Sequence, residues 1–292
     1  GGDLSSGVAG NFTGAMSHAA FYPTTTLSAG RVASHAASRN NFVGETGVAR
    51  MTRMAGYAGV TVGTMDASLT NMPAGTTSDS SAWAEIQGAA DAELGVAYID
   101  GTGAMVFHNR NKVVSKSVPD LNLTNLGITP EVTAVVDDQF ITNYMEVTAE
   151  GTGAVSLAFS ATSQTSHGRY SGSRSYSVQT DPEALDRANW LVANLAEPTP
   201  RYGTLTINLF GMTPAQASTV IAALDVDCWL RVTLMSPQNP GGTTADVIVE
   251  GWTETTSAEV WTISCNVVAR SLFSPVWIFD TSLFDTTTRF YV

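Results

Sequence analysis

Asp181-Pro182-Glu183-Ala184-Leu185-Asp186-Arg187-Ala188-Asn189-Trp190-Leu191-Val192-Ala193-Asn194-Leu195-Ala196 opens the best-punctuated stretch of the chain, which runs on to Ala269. Asp-Pro-Glu is a helix start, because proline suits the first helical position and carboxylates suit the positive end of the helix dipole. Pro198 and Pro200 stop that helix. Thr204-Leu205-Thr206-Ile207-Asn208-Leu209 then alternates as a strand. Thr213-Pro214-Ala215-Gln216 is a capping box opening a second helix, with Val220, Ile221 and Leu224 expected to face inward. A strand at Trp229–Leu234 and a hairpin from Val247 to Val268, turning near Thr256–Glu259, complete an α+β unit. Its spacing carries no catalytic motif. It specifies a shape.

The same grammar extends upstream. Val48, Met51, Met54 and Ala55 recur at helical spacing between Glu45 and Tyr57, and Gly56 and Gly59 mark the end of that helix. A strand Val60-Thr61-Val62 and a turn-rich connector at Asn71–Thr77 follow. Asp79 or Ser80 caps a further helix whose apolar side is Ala82, Trp83, Ile86, Ala89, Ala90 and Leu94, and Gly95 ends it. Val96–Ile99 and Ala104–Phe107 flank Asp100-Gly101-Thr102-Gly103, a hairpin turn. Ile141–Thr148 and Val155–Phe159 repeat that pattern around Glu150-Gly151-Thr152-Gly153, inside a strand-rich region from Leu121 to Ser177. Residues 1–40, rich in Gly, Ser, Ala and Thr, show weak periodicity and read as an extended arm or irregular loop. The breaks divide the chain into an arm (1–40), a helix-plus-hairpin domain (41–117), a larger α+β domain (118–270) and an aromatic tail (271–292). That tail carries Phe273, Trp277, Phe279, Phe284, Phe290 and Tyr291. It is too apolar to float free and is expected to dock on its own domain or on a partner chain.

Composition excludes several classes. The 292 residues suffice for one large domain or two ordinary ones. Charged residues make up 14% of the chain, against about a quarter in an ordinary domain. The net charge is −12, and Lys112 and Lys116 are the only lysines. Gripping nucleic acid needs clustered Lys and Arg, so this surface is suited to not sticking to it. No apolar run is long enough for a membrane span. The chain begins Gly1-Gly2-Asp3, without an initiator Met or a basic-then-apolar leader, so this N-terminus is not expected to be a signal peptide and the chain is expected to be a portion of something longer. Cys228 and Cys265, the only cysteines, are expected to be buried reduced thiols, with a disulfide as the alternative.

Sites of chemistry are hard to find. His18, His35, His108 and His167 are scattered, and no His-Glu-x-x-His, Cys-x-x-Cys or Gly-x-Ser-x-Gly pattern occurs. No cofactor is expected. Asp137-Asp138 stands at the entrance to a strand and reads as a solvated turn before it reads as a cation site. Gly101-Thr102-Gly103 lacks the rest of a phosphate loop and leads into a strand instead of a helix. Asn11-Phe12-Thr13 and Asn122-Leu123-Thr124 match the glycosylation pattern by chance. Trp83 and Trp190 are expected to anchor the core. Trp252 and Trp261 could form a sugar-stacking platform, but burial against a neighbouring element is the expectation.

One passage resembles a recurrent feature of minor tail proteins from long-tailed phages of actinobacteria. It runs Trp83-Ala84-Glu85-Ile86-Gln87-Gly88-Ala89-Ala90-Asp91-Ala92-Glu93-Leu94-Gly95, then Tyr98-Ile99-Asp100-Gly101-Thr102-Gly103-Ala104-Met105-Val106-Phe107. There a helix ending in Glu-x-Gly leads into a hairpin with an Asp-x-x-Gly turn. Later segments are similar to that group as well: Asp137-Asp138 before Asn143-Tyr144-Met145-Glu146-Val147, Ser166-His167-Gly168-Arg169-Tyr170, and Ala188-Asn189-Trp190-Leu191-Val192-Ala193 before Pro200-Arg201. The likeness covers roughly residues 45–270, and the order of the motifs carries more weight than any one of them.

The resemblance implies a tail-tip or baseplate-hub protein with tube-type β-barrels or sandwiches flanked by helices, commonly assembled as a trimeric ring. Its implied neighbours are the tail tube, the distal tail protein and tip or fibre proteins, with DNA only passing through the channel and no stable membrane insertion. Assembly is expected in the bacterial host cytoplasm, and the final location is the virion tail tip. The expected fold is therefore α+β and β-rich, with a smaller helix–hairpin domain. The expected role is structural and not enzymatic. Asp137, Asp138, Asp225 and Asp227 are the candidates for channel-facing or turn acidity, and Phe273, Trp277, Phe279 and Phe284 for subunit contacts. A carbohydrate- or receptor-binding module and a cell-wall hydrolase are the rival readings.

Overall fold

The computed structural model describes residues 28–39, 41–75, 81–127, 134–135, 138–233 and 244–273. The chain divides into two units, residues 1–41 and 42–292. In the first, the described residues form helix α1 (Ala29–Arg39), where the sequence suggested irregular structure. Ala29, Ala33, Ala36 and Ala37 favour a helix by propensity alone. Ser28 caps it by accepting from the Arg31 N–H at 3.3 Å.

The second unit is α+β and rich in β-structure. Its sheets are open, with no closed barrel among the described residues. Helix α2 (Gly47–Ala58) starts at Thr46, whose side chain accepts from the Ala49 N–H, and ends at Gly59 with φ 71°. Strand β1 (Thr61–Met65) follows, then α3 (Ala82–Ala92), capped by Ser81, and the hairpin of β2 (Val96–Ile99) and β3 (Ala104–His108). Asp100 makes the hairpin turn by accepting from the Thr102 N–H at 2.8 Å and the Ala104 N–H at 3.0 Å. The sheet order is β1-β3-β2, with β1 parallel to β3. Gly95 is obligatory at the entry to β2, because a Cβ there would overlap the carbonyl of His108.

A short helix α4 (Asn111–Val114) and strands β4 (Leu121–Asn122) and β5 (Ala134–Val135) lead to β6 (Tyr144–Ala149) and β7 (Val155–Phe159), an antiparallel hairpin. Helix α5 (Ala161–His167) then crosses over to β8 (Ser171–Tyr176), which lies parallel to β6 and gives the order β7-β6-β8. The polar run of α5 has no apolar periodicity to announce it. It is held instead by fully buried Asn143, whose amide donates to Ser163 Oγ at 3.1 Å and the Gly168 carbonyl at 2.7 Å. Asn143 Oδ1 in turn accepts from the Tyr170 N–H at 2.8 Å.

Helix α6 (Asp181–Leu195) begins with a Thr180–Glu183 capping box and packs on β6 and β7. Strands β9 (Arg201–Tyr202) and β10 (Thr204–Asn208), helix α7 (Pro214–Ala223) with its Thr213–Gln216 capping box, and strands β11 (Trp229–Thr233), β12 (Thr244–Thr256) and β13 (Trp261–Ala269) complete the unit. Five strands form one sheet in the order β10-β13-β12-β11-β4.

Two cores result. Met51, Met54, Ile86, Met105 and Phe107 join Val147, Val178, Ala188 and Leu191, so that elements far apart in sequence share one interior. Leu205, Ile207, Leu230, Val247, Val249 and Ile263 form the second core under Val220 of α7. Each such side chain contributes roughly 1.5–3 kcal/mol by leaving water. Three expected anchors are exposed instead: Trp83, Trp252 and Ile221. On α3 the inward side is Ile86 together with Ala89, Ala90 and Ala92, three small residues that let α2 approach closely, while Trp83 at the helix start is exposed.

Beneath the first core lies a buried ionic network. Arg187 donates through Nε to the Ala92 carbonyl at 2.8 Å and through Nη1 to Asp186 at 2.7 Å. Arg110 donates to the same Asp186 oxygen at 2.6 Å. Glu93, wholly buried, accepts from Ser68 Oγ and from the Leu69 N–H at 2.8 Å. Burial pushes the Glu93 carboxyl above its usual range, against those hydrogen bonds and the charge of Arg187. Burial likewise lowers Arg187, helped by the nearby charge of Arg110.

Replacing Arg187 with Met is expected to cost about 3–5 kcal/mol in urea unfolding at neutral pH, because Glu93 loses its positive neighbour. A carboxyl whose folded pKa is raised contributes stability below its unfolded pKa and loses it as pH rises through the folded value. The loss in Arg187→Met should therefore shrink toward pH 4. A loss independent of pH would refute the Glu93 linkage.

Cys228 and Cys265 are buried and unbridged, and burial first raises their thiols to about 11 and about 12. Iodoacetamide at pH 8 should modify neither in the folded protein and both in denaturant, read by mass. A mass short by two hydrogens would mean a disulfide.

Candidate functional site

Asp225 and Asp227, two of the four acidic candidates, lie in the turn between α7 and β11, where Asp225 meets Tyr98 of β2 and Asp227 meets His108 at the end of β3. Tyr98 donates its hydroxyl to Asp225 Oδ2 at 3.4 Å, and His108 Nδ1 lies 2.9 Å from Asp227 Oδ2. The Tyr98 and His108 rings stand edge to face at 5.6 Å. Burial first, then the negative charge of Asp225, pushes the Tyr98 phenol far above its usual range. Lys116 spans the same corner, donating to Asp120 Oδ2 at 2.6 Å and to the Asp227 carbonyl at 2.8 Å. Glu250 is raised by burial and by the charge of Asp227.

Asp227 holds φ at 64°, a left-handed conformation that asparagine and aspartate tolerate better than other side chains. The arrangement ties the β2–β3 hairpin to the five-stranded sheet. Among the described residues, no group of three or more His, Cys, Asp and Glu could hold a metal ion.

Asp138 is exposed and accepts from the Tyr170 hydroxyl at 2.7 Å, while Asp137 lies outside the described residues. Of the aromatic candidates, Phe273 packs edge to face on Trp190 at 6.4 Å and borders a small cluster of Val113, Trp229 and Ile248. Trp277, Phe279 and Phe284 lie outside the described residues.

Two exposed apolar surfaces went unmarked in the sequence. Strand β7 is an edge of its sheet and pairs only with β6 among the described residues. Its Val155, Leu157 and Phe159 are 60%, 41% and 59% exposed and share one face. The strand carries no charge and no proline, the usual devices that keep an edge from pairing. The other surface is an open groove of about 490 Å³ beside α7, lined by Leu209, Phe210, Met212, Ala217, Ile221 and Trp261. The signal for both was the absence of charge over an amphipathic-looking run.

No family model matches the chain, and no curated protein matches it in sequence. Two solved tail proteins share its fold. The 43 kDa tail protein of prophage MuSo2 from Shewanella oneidensis aligns at 12% identity and a TM-score of 0.52, over 80% of this chain and 66% of that one. The tail protein from Neisseria meningitidis MC58 aligns at 12% identity and a TM-score of 0.54, over 79% of this chain and 68% of that one. The chain thus spans about two thirds of the length of each.

Asp227→Ala should lose about 2–3 kcal/mol of unfolding free energy, since it strains a left-handed position and leaves His108 without its acceptor. Asp227→Asn, which tolerates the backbone and keeps an acceptor, should lose less than half as much. Equal losses in urea unfolding would show that neither feature holds the turn.

Proposed function

We propose that this chain is a structural protein of a bacteriophage tail tip, one subunit of a symmetric hub ring. The ring joins the tail tube to host-facing tip proteins and lines or closes the DNA channel. The observation that carries the reading is the uncharged, unblunted edge of β7, with Val155, Leu157 and Phe159 facing water. A monomer gains nothing from such an edge, whereas a ring buries it between copies. The fold shared with two tail proteins supports the same role. So does a net charge of −12, which keeps a channel wall from holding DNA. Its proposed partners are its own copies, three to a ring, together with the tail tube, distal tail protein and tip or fibre proteins. Exposed Asp138 and Asp225 are the candidates for the acidic wall.

A second reading rests on Trp252, which is 40% exposed beside Thr253, Glu254 and Thr255 on the far arm of β12. An exposed indole among hydroxyls is the surface a glycan-binding module needs. Glycan binding lost in Trp252→Ala would favour it over the ring.

In the ring, Leu157→Lys places an unpaired charge in a buried contact, at a cost of about 3–5 kcal/mol, and so weakens association roughly a hundredfold or more. Sedimentation should show a discrete oligomer for the parent chain and monomer for the variant, with unchanged far-UV circular dichroism. A parent chain that stays monomeric at all concentrations and is absent from virions would sink the proposal.

A further inference from the structure

A bulge in β12 decides which of its side chains reach the α7 side of the five-stranded sheet. Val249 pairs with Val267, but Gly251 already pairs with Asn266, so Glu250 is one residue extra. Side chains alternate along a strand, and an inserted residue reverses which of them face a given side. Before the bulge Val247 and Val249 point into the second core. After it Trp252, Glu254 and Thr256 take that side, opposite Cys265, Ile263 and Trp261. Without the extra residue, Thr253 and Thr255 would stand there instead. Strand β11 pairs with β12 only from Thr244 to Ile248, so the arm from Gly251 to Thr256 runs on beyond it. On that arm Trp252 is 40% exposed and Glu254 is exposed as well.

These side chains belong to one surface. Trp261 donates its indole N–H to Glu254 Oε1 at 2.7 Å, which fixes the carboxylate beside the second indole. Trp252 lies two residues from Glu254 on the same face, about 7 Å along the strand. Trp261 also lines the groove of about 490 Å³ beside α7, together with Phe210, Met212 and Ile221. An aromatic face, an oriented acceptor and an apolar groove of that size are the usual makings of a small-molecule site. A sugar ring suits them, because it lays C–H groups on an aromatic face while its edge hydroxyls donate to a carboxylate. Charge narrows the class further. Residues 202–230 and 232–269, which supply β10, α7, β12 and β13, contain no lysine or arginine. An acidic glycan would bring its charges to Glu254 with no cation on those elements to receive them.

We propose that the β12–β13 arm is a site for a neutral glycan. Trp252 stacks one sugar ring, Glu254 accepts from its hydroxyls, and Trp261 leads the chain into the groove beside α7. The site rests on the glycan reading of Trp252 above and extends it from one indole to a bounded surface with a stated ligand class.

The test titrates the full-length chain with cellohexaose, maltohexaose, chitohexaose and α-mannan, and with polygalacturonate and sialyllactose as acidic probes, read by tryptophan fluorescence and calorimetry. At least one neutral probe should saturate, and the acidic ones should not. Trp252→Ala and Glu254→Ala should each weaken binding roughly tenfold or more with unchanged circular dichroism. Glu254→Gln, which keeps an acceptor, should lose less. Ile221→Lys in the groove should weaken the hexasaccharide and leave the corresponding disaccharide unaffected. Binding lost in Trp252→Ala but undiminished in Glu254→Ala and Ile221→Lys would overturn this site and leave the reading of Trp252 intact. An acidic probe that binds as tightly as the neutral ones would overturn the ligand class. Saturation by none of the probes would overturn both the site and the reading it rests on.

Discussion

Arg187 is 1% exposed and touches three separate parts of the second unit. Its guanidinium reaches the last turn of α3 through the Ala92 carbonyl, its own helix through Asp186, and, electrostatically, Glu93 and Arg110. Burial disfavours the charged forms of both Arg187 and Glu93, so the network is no large source of net stability. What it supplies is uniqueness, because any packing that separates α3 from α6 leaves a buried charge without a partner. The first core depends on this. Its two halves, residues 51–107 and 145–196, have no local reason to meet, and apolar side chains alone would tolerate several ways of stacking them.

The same logic applies one level up, where the β2–β3 hairpin meets the five-stranded sheet. Asp227 adopts a left-handed backbone to present its carboxylate to His108, and Lys116 satisfies the carbonyl that this conformation turns outward. Polar contacts with directional demands fix how the second core is attached, and the apolar cores supply the bulk of the free energy. The outer edge of β7, which has no partner among the described residues, is held in place by β6 beside it and α6 packed on it.

Elements announced by local chemistry were legible in the sequence. The helix start at Asp181-Pro182-Glu183, the capping box at Thr213–Gln216 and the turns at Asp100–Gly103 and Glu150–Gly153 place helices and hairpins where the structure has them. Elements made by tertiary contacts were not. Helix α5 exists because Asn143 grips it from another segment, and the parallel pairing of β6 with β8 follows from that crossover. Periodicity identified the apolar faces of α3 and α7 but could not say what covers them, so Trp83 and Ile221 were assigned to the interior and lie outside it. Asp227 stood out as an acidic turn residue, yet its partner His108 is 119 positions away. Hairpin signals give a strand one neighbour and are silent about the other side. The edge of β7 that is open among the described residues therefore had no turn signal, only its lack of charge.

Charge distribution makes sense of these surfaces together. Copies carrying −12 each repel at long range, and at physiological ionic strength that repulsion is screened beyond about 8 Å. Inside that distance only surfaces without carboxylates can approach at low cost. The outward face of β7 and the run from 202 to 224 are such surfaces. An acidic body with a few uncharged patches is thus selective by default, since most encounters between copies are repulsive and a small set of orientations is not. Sparse charge and apolar edges, which look like liabilities in a free monomer, are together what the proposed ring would use to select one register.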